Sequence, residues 1–119
     1  MVAVGITSDG KRVEFDCSDV YLYSHNKDLV SLDIPSGVKW VNCSNNKITE
    51  LHIPEGVINV DCENNKLTEL ILPSGVKWVN CSNNKLTGLI LPAYVEYLHC
   101  DKEVIGLEEF IGKIKIELW

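Results

Sequence analysis

The sequence predicts a mainly β protein, a parallel solenoid wound from short coils of constant length. The stretch PSGVKWVNCSNNK occurs twice, at 35–47 and 73–85, and PEGVINVDCENNK lies midway at 54–66 with the same skeleton. Prolines recur at 35, 54, 73 and 92, and cysteines at 43, 62, 81 and 100, always 19 positions apart. Self-similarity at a short, fixed period is typical of proteins whose coils stack on one another.

Each repeat contains one short strand. In WVNCS apolar and polar residues alternate, so Val41 and Cys43 point to one side while Trp40, Asn42 and Ser44 point to the other. One such strand cannot bury its inner face alone, and the coils are therefore expected to stack into a parallel sheet around a shared core. The predicted core positions are Val38, Val41, Cys43, Ile48, Leu51 and Ile53, with their equivalents one and two periods further on.

The rest of the coil is predicted to bend and return. The second asparagine of each pair (46, 65, 84) is expected inside the bend, bonded to backbone groups that the turning chain leaves unpaired, and the first (45, 64, 83) in solvent. The Leu-x-Leu-Pro segment is expected to form an extended back wall, because so short a period leaves no room for a helix. Glycines at 37, 56 and 75 tolerate positive φ where the turn requires it.

Degenerate repeats mark the ends of a single domain spanning residues 1–119. Residues 1–18 predict an N-terminal hairpin cap, with an Asp-Gly turn between two alternating segments. Residues 19–100 hold the repeats. Residues 101–119 predict a C-terminal cap, in which GLEEFIG forms a short helical turn and KIKIELW a closing strand.

The skeleton V-x-x-V-x-C-x-x-N-x-L-x-x-L-x-L-P-x-x resembles the core of the leucine-rich repeat, L-x-x-L-x-L-x-x-N/C-x-L. Valine replaces leucine, and cysteine fills the third apolar slot, over about residues 19–100. The short unit is similar to the shortest repeats of that family, which occur in bacterial effector proteins and some large-virus proteins. The resemblance implies a solenoid whose concave face binds a protein or peptide.

The composition bears on the partners, the location and the cysteine chemistry of the protein. A net charge of -6 argues against nucleic acid as a partner and is compatible with a basic one. The chain has no long apolar run and no signal-like N-terminus, so we expect no membrane association and an intracellular, cytoplasmic location, that of a host cell if the protein is an effector or viral. One cysteine per coil and no CxxC pair predict buried, reduced thiols rather than a metal site or disulfides.

The predicted binding site lies on the concave face, where aromatic residues recur in one column interrupted by Asn59. A short residue between two tryptophans makes a notch, and neighbouring carboxylates favour a basic side chain. In the alternative interpretation, these aromatics merely stack on one another and shield the sheet. The predicted partner-binding residues are Tyr21, Trp40, Asn59, Asp61, Glu63, Trp78 and Tyr97.

No enzyme and no cofactor are expected, because the three histidines are dispersed and no phosphate-binding loop is present. The alternative to a binding module is a structural or self-assembling protein that uses its back wall or its ends. The outward back-wall column of Asp33, His52, Ile71 and Ile90 becomes apolar toward the C-terminus. We expect a monomer or a weak homo-oligomer.

Overall fold

The computed structural model describes residues 1–101 and the backbone of residues 115–118. In this part of the chain the protein is built of strands and loops, without a helix, and forms a parallel solenoid of about four turns, which confirms the predicted fold class. The strands are β1 Val2–Thr7, β2 Arg12–Asp16, β3 Tyr21–Tyr23, β4 Leu29–Asp33, β5 Trp40–Asn42, β6 Asn59–Asp61, β7 Glu69–Ile71, β8 Trp78–Asn80, β9 Gly88–Ile90, β10 Tyr97–Cys100 and β11 Lys115–Leu118.

The concave face is one sheet of parallel strands in the order β11-β10-β8-β6-β5-β3. Between β3 and β10, neighbouring strands pair in the register of the repeat, so that Trp40 lies opposite Asn59 and Asn59 opposite Trp78. A shift by a single position would turn the apolar residues of a strand to solvent, and the buried set therefore fixes this register. The repeat periodicity predicted the pairing correctly.

The N-terminal cap is the predicted hairpin. Strands β1 and β2 pair antiparallel, and Gly10 in the connecting turn has a φ of 85°. Strand β1 also pairs antiparallel with β4, so the hairpin extends the back wall of the first coil. At the other end β11 runs parallel to β10, as expected of the closing strand. The predicted helical turn at 106–112 lies outside the described residues.

The core is a column of aliphatic side chains and thiols beneath the concave sheet, and the predicted positions are buried with few exceptions. Leu51, Leu89 and Leu91 are only half-buried and pack against the edge of the core. All five cysteines are buried and free, including Cys17, which lies outside the repeat column. Burial raises the pKa of the Cys43 thiol to about 12 and that of Cys100 to about 11. The prediction that the thiols are buried is confirmed.

The inner asparagines form a polar ladder at the bend. Asn65 donates through Nδ2 to the carbonyl oxygens of Cys43, Cys62 and Glu63 at 3.0, 3.1 and 3.2 Å, and its Oδ1 accepts from the backbone N–H of Ile48 at 3.0 Å. One side chain thus joins two successive coils. The equivalent asparagines 46 and 84 repeat this pattern, although Asn84 is half-buried.

The outer asparagines have a backbone role that the sequence prediction missed. Asn45, Asn64 and Asn83 have φ angles of 57°, 56° and 54°, in the left-handed region that asparagine tolerates better than most residues. The Asn64 amide donates to Asn45 Oδ1 at 2.6 Å, and Asn83 donates to Asn64 in turn. Asn64 is also half-buried rather than solvent-facing. The turn itself therefore requires these residues.

The back wall is less regular than the concave sheet. Strands β7 and β9 pair with each other and β4 pairs with the hairpin, but residues 49–53 between them form no strand. A depression of about 870 Å³ opens there, lined mainly by residues 49–55 and 68–74. The turns that end each wall also differ, since φ is +100° at Gly37 and +96° at Gly56 but does not lie in the left-handed region at Gly75.

Candidate binding site on the concave face

The candidate site is formed by the outward side chains of the concave sheet. Because β-strand side chains alternate, the concave strands β3, β5, β6 and β8 each bury their central valine or leucine and direct the residues on either side to the concave face, where Asn80 is itself covered. The outward residues stack in columns across the sheet. The first column contains Tyr21, Trp40, Asn59, Trp78 and Tyr97.

The aromatic rings pair at the two ends of this column. Trp78 stacks on Tyr97, with ring centroids 5.3 Å apart and planes 4° from parallel. Trp40 meets Tyr21 edge to face at 5.2 Å and 70°. Such pairs stabilise one another, as the shielding interpretation supposed. The pairing stops at Asn59, which separates the two groups of rings.

A depression of about 400 Å³ lies at this interruption, and we call this depression the notch. Trp40, with 46% of its surface exposed, and Trp78 stand on either side of Asn59. The lining residues are Leu22, Tyr23, Trp40, Val41, Asn42, Asn59, Asp61 and Trp78. The predicted site thus includes four residues of the notch.

Three predicted site residues lie around the notch without lining it. Tyr21 and Tyr97 support the tryptophans from outside, and Glu63 follows β6 along the chain. Sequence reasoning left out Tyr23, which is 59% exposed and stacks against Tyr21 with centroids 6.1 Å apart. Strand alternation placed Tyr23 on the same face as Tyr21, two residues before it, but the predicted binding residues did not include Tyr23.

Asp61 is the carboxylate inside the notch, and it is partly buried. Its pKa is raised, chiefly by burial and further by the charge of Glu63, while a backbone hydrogen bond from Glu63 and the more distant His25 and His99 act in the opposite sense. The Glu63 N–H donates to Asp61 Oδ1 at 3.3 Å. Within the described part of the chain, neither carboxylate forms an ion pair with lysine or arginine.

The amide side chains around the notch are used differently. Asn42 Oδ1 accepts from the N–H and hydroxyl of Ser44 at 3.1 and 2.7 Å, and Asn80 does the same for Ser82. The side chain of Asn59, by contrast, makes no hydrogen bond to any described residue. The notch therefore presents an amide that is available to a ligand.

The notch lies in the coil that differs from its neighbours. The repeated stretch is identical at 35–47 and 73–85, but the middle copy departs from both at five positions. Three of these changes are at concave positions on or just after β6, where tryptophan, asparagine and serine become Asn59, Asp61 and Glu63. The other two are Glu55 and Ile58. The skeleton of the coil is preserved while its concave surface is replaced.

The histidines and serines form no visible reaction centre in the described residues. The Ser44 hydroxyl donates to Asn42 rather than to His25, and His25 Nδ1 is buried without a hydrogen-bond partner. No three histidine, cysteine or acidic side chains of the described chain come together as metal donors. Among the described residues, Ser44 and His25 therefore do not form a nucleophile–base pair.

The back wall carries the second exposed apolar surface. Ile71 and Ile90 face each other across the β7–β9 pair and are 54% and 57% exposed. Asp33 and His52 in the same column are exposed as well, so the column has the polarity gradient that the sequence predicted. This patch is the surface on which a self-assembly model depends.

Searches with family models, curated proteins and solved structures each found no match to the chain. Among the described residues no helix has the length and apolar character needed to cross a membrane.

Proposed function

We propose that the protein is a non-catalytic binding module of the leucine-rich repeat type, which binds a protein or peptide on its concave face. The observation that carries the proposal is the notch, where exposed aromatic surface, a partly buried carboxylate and an unbonded amide lie together. Aromatic side chains in a concave, partly dehydrated setting are the usual anchors of protein–protein recognition.

The pattern of repeats supports the same function. Stacking and burial require the skeleton of each coil, and the skeleton is the same in all three central repeats. Stacking and burial do not require particular residues at the outward positions of β6, yet these positions are the ones that differ from the flanking repeats. A surface made distinct at one coil suits a specific contact better than a uniform spacer. Five reduced thiols suit an intracellular location.

A displayed-peptide selection tests the function. Random peptides on phage are selected against the wild-type protein, and the dissociation constants of enriched peptides are measured by calorimetry with wild type, Trp40→Ala and Trp78→Ala. We expect each truncation to weaken binding by ~2 kcal/mol or more, about 30-fold, as for an exposed aromatic anchor. Thermal unfolding should show that both variants keep the fold.

Ile71→Asp is the matched control, because it alters an exposed residue on the opposite face. Peptides that bind both tryptophan variants as tightly as wild type would refute the concave site. So would a selection that enriches no peptide above the background of an unrelated protein.

The exposed Ile71 and Ile90 favour self-assembly as the second candidate function. In that model the back wall joins copies of the chain, and Ile71→Asp or Ile90→Asp lowers the oligomeric mass. Sedimentation velocity over a range of concentrations distinguishes the two models, since the concave-face proposal expects the same monomeric mass for wild type and both variants.

A further inference from the structure

We propose that the notch receives the side chain of an arginine, held between Trp40 and Trp78 with Asp61 as its counter-ion. This inference rests on the proposed function and specifies the chemistry of the partner. Four features carry it: the spacing of the two walls, the acceptors between them, the charge of the face, and the identity of the equivalent residues in the flanking coils.

The distance between Trp40 and Trp78 fits one planar group. Tyr97 covers one face of Trp78 from the β10 side, so the opposite face is directed toward Asn59 on β6. The backbones of β5 and β8 lie two strand spacings apart, roughly 9.6 Å. Two contacts of about 3.5–4.0 Å, one to the open face of Trp78 and one to the Trp40 side chain, use most of that distance, so one planar group fits between the tryptophans and two do not. A guanidinium is planar and stacks on indole faces.

Asn59 and Asp61, between the two tryptophans, supply the hydrogen-bond acceptors. Asn59 and Asp61 point outward from the same strand, two residues and roughly 6.6 Å apart. The Asn59 amide is unbonded among the described residues, and Asp61 has one oxygen beyond the Oδ1 that accepts from Glu63. A guanidinium carries five N–H donors in a fixed fork, so it can bond to both side chains while it stacks.

The charge of the face favours a cation. Three concave columns begin at Tyr21, Tyr23 and His25 and recur every 19 residues as far as Asp101. They include the carboxylates of Asp61, Glu63 and Asp101 and no lysine or arginine. Burial raises the pKa of Asp61, which shows that its negative charge is poorly solvated there. A bound cation offsets that cost. Lysine offers the same charge but no flat face, and its ammonium is more strongly hydrated.

The chain itself supplies matched variants. Both flanking coils have tryptophan at the position of Asn59 and asparagine at the position of Asp61. Asn59→Trp therefore fills the notch with a residue that the fold accommodates on either side. Asp61→Asn removes the charge, while the amide oxygen can still accept from the N–H of residue 63, as Asn42 and Asn80 do for Ser44 and Ser82.

The test uses short blocked tripeptides and the indole N–H signals of ¹⁵N-labelled protein. We expect acetyl-Gly-Arg-Gly-amide to shift the Trp40 and Trp78 signals with millimolar affinity, as a single anchored side chain gives. The citrulline peptide, which is nearly isosteric but uncharged, should bind at least ~10-fold more weakly because it lacks the charge-assisted bond. The lysine peptide should also bind more weakly. Ile71→Asp should match wild type.

Asn59→Trp should abolish the arginine-induced shifts, and Asp61→Asn should weaken binding by ~5–10-fold, with both variants checked for folding by thermal unfolding. Equal binding of the arginine and citrulline peptides, tighter binding of the lysine peptide, or unchanged shifts in Asn59→Trp would each overturn the assignment. If displayed peptides depend on Trp78 yet ignore Asn59→Trp, the concave site survives and the arginine proposal fails. If the arginine peptide fills the notch but no displayed peptide depends on the tryptophans, the proposed function fails instead.

Discussion

The concave sheet and the back wall are made by the same repeat in each turn, yet only one of them is continuous. On the concave side every strand from β5 to β10 is paired along both edges. On the back wall β4 belongs to the hairpin sheet, β7 and β9 form a separate pair, and residues 49–53 belong to neither. Apolar residues line both sides of the core.

The difference shows what sets the spacing between coils. At the bend after each concave strand, an asparagine bonds backbone groups of its own coil and of the preceding one. No equivalent polar side chain joins successive coils across residues 49–53, where aliphatic side chains make the contacts. Hydrogen bonds are directional and hold neighbouring coils in register, whereas apolar packing tolerates a range of separations.

Asn65→Ala should produce the largest effect, because it removes a side chain that serves four backbone groups in two coils. We expect a loss of at least ~1–3 kcal/mol in the free energy of unfolding, measured by urea denaturation. Amide exchange in β5 and β6 should also accelerate. A loss no larger than that of an ordinary surface substitution, under ~0.5 kcal/mol, would show that the ladder does not hold the concave coils together.

Asp101→Ala tests the hydrogen bonds that hold the last described bend, at Asn83 and Asn84. The Asp101 carboxylate accepts from the backbone N–H groups of Asn83 at 2.8 Å and Asn84 at 3.1 Å. In the earlier coils the equivalent backbone N–H groups donate to backbone carbonyls of the following coil, as the Asn45 N–H does to the Glu63 carbonyl oxygen. We expect a loss of about 1.5 kcal/mol, the lower end for bonds to a charged group. Asp101→Asn should lose less, and equal losses would exclude a contribution from charge.

Asn64→Ala separates backbone conformation from side-chain bonding at the bend. Alanine at a φ of 56° costs about 1 kcal/mol, whereas glycine adopts this conformation without strain. We therefore expect Asn64→Ala to lose about 1 kcal/mol in urea denaturation and Asn64→Gly only a few tenths. Equal losses in the two variants would assign the effect to the asparagine side-chain bonds instead.

Asp61→Asn should stabilise the fold slightly at pH 7, because it removes a poorly solvated charge. Since the pKa of Asp61 is raised in the folded protein, the folded state holds its proton more tightly, and wild type gains stability as the pH falls through that value. The advantage of the variant should therefore vanish below about pH 3.9, the value of an unperturbed aspartate. Thermal unfolding from pH 3 to 7 measures the difference, and a constant advantage would argue against the charge.

Ile71→Asp should have the smallest effect, within about 0.5 kcal/mol in urea denaturation, because the side chain is exposed on the irregular wall. A loss above about 1 kcal/mol, beyond the range of surface substitutions, would mean that Ile71 is covered in solution. The back wall would then carry more of the stability than its broken pairing suggests.

Much of the fold followed from the period, because a residue repeated every 19 positions must occupy the same place in every coil. Strand alternation then placed Trp40, Asn59 and Trp78 on the concave face. The left-handed turn at Asn64 was missed, since a polar residue beside a buried one suggests mere exposure. The gap at 49–53 was missed because LHIP has the same pattern as its paired counterparts. The side-chain packing that decides pairing there is invisible in a single sequence.

The rate at which each of the four repeat cysteines is alkylated would report how often its own coil opens; these are Cys43, Cys62, Cys81 and Cys100. Each lies in a different turn and is fully buried, and at neutral pH the raised pKa values leave almost no thiolate for an alkylating reagent to attack. Labelling must therefore wait until the surrounding coil comes apart. If the turns fray from the C-terminus, Cys100 reacts before Cys43; if they melt together, all four react at one rate. Mass spectrometry of a timed labelling series would thus divide the stability of the solenoid among its turns, without introducing a single foreign probe.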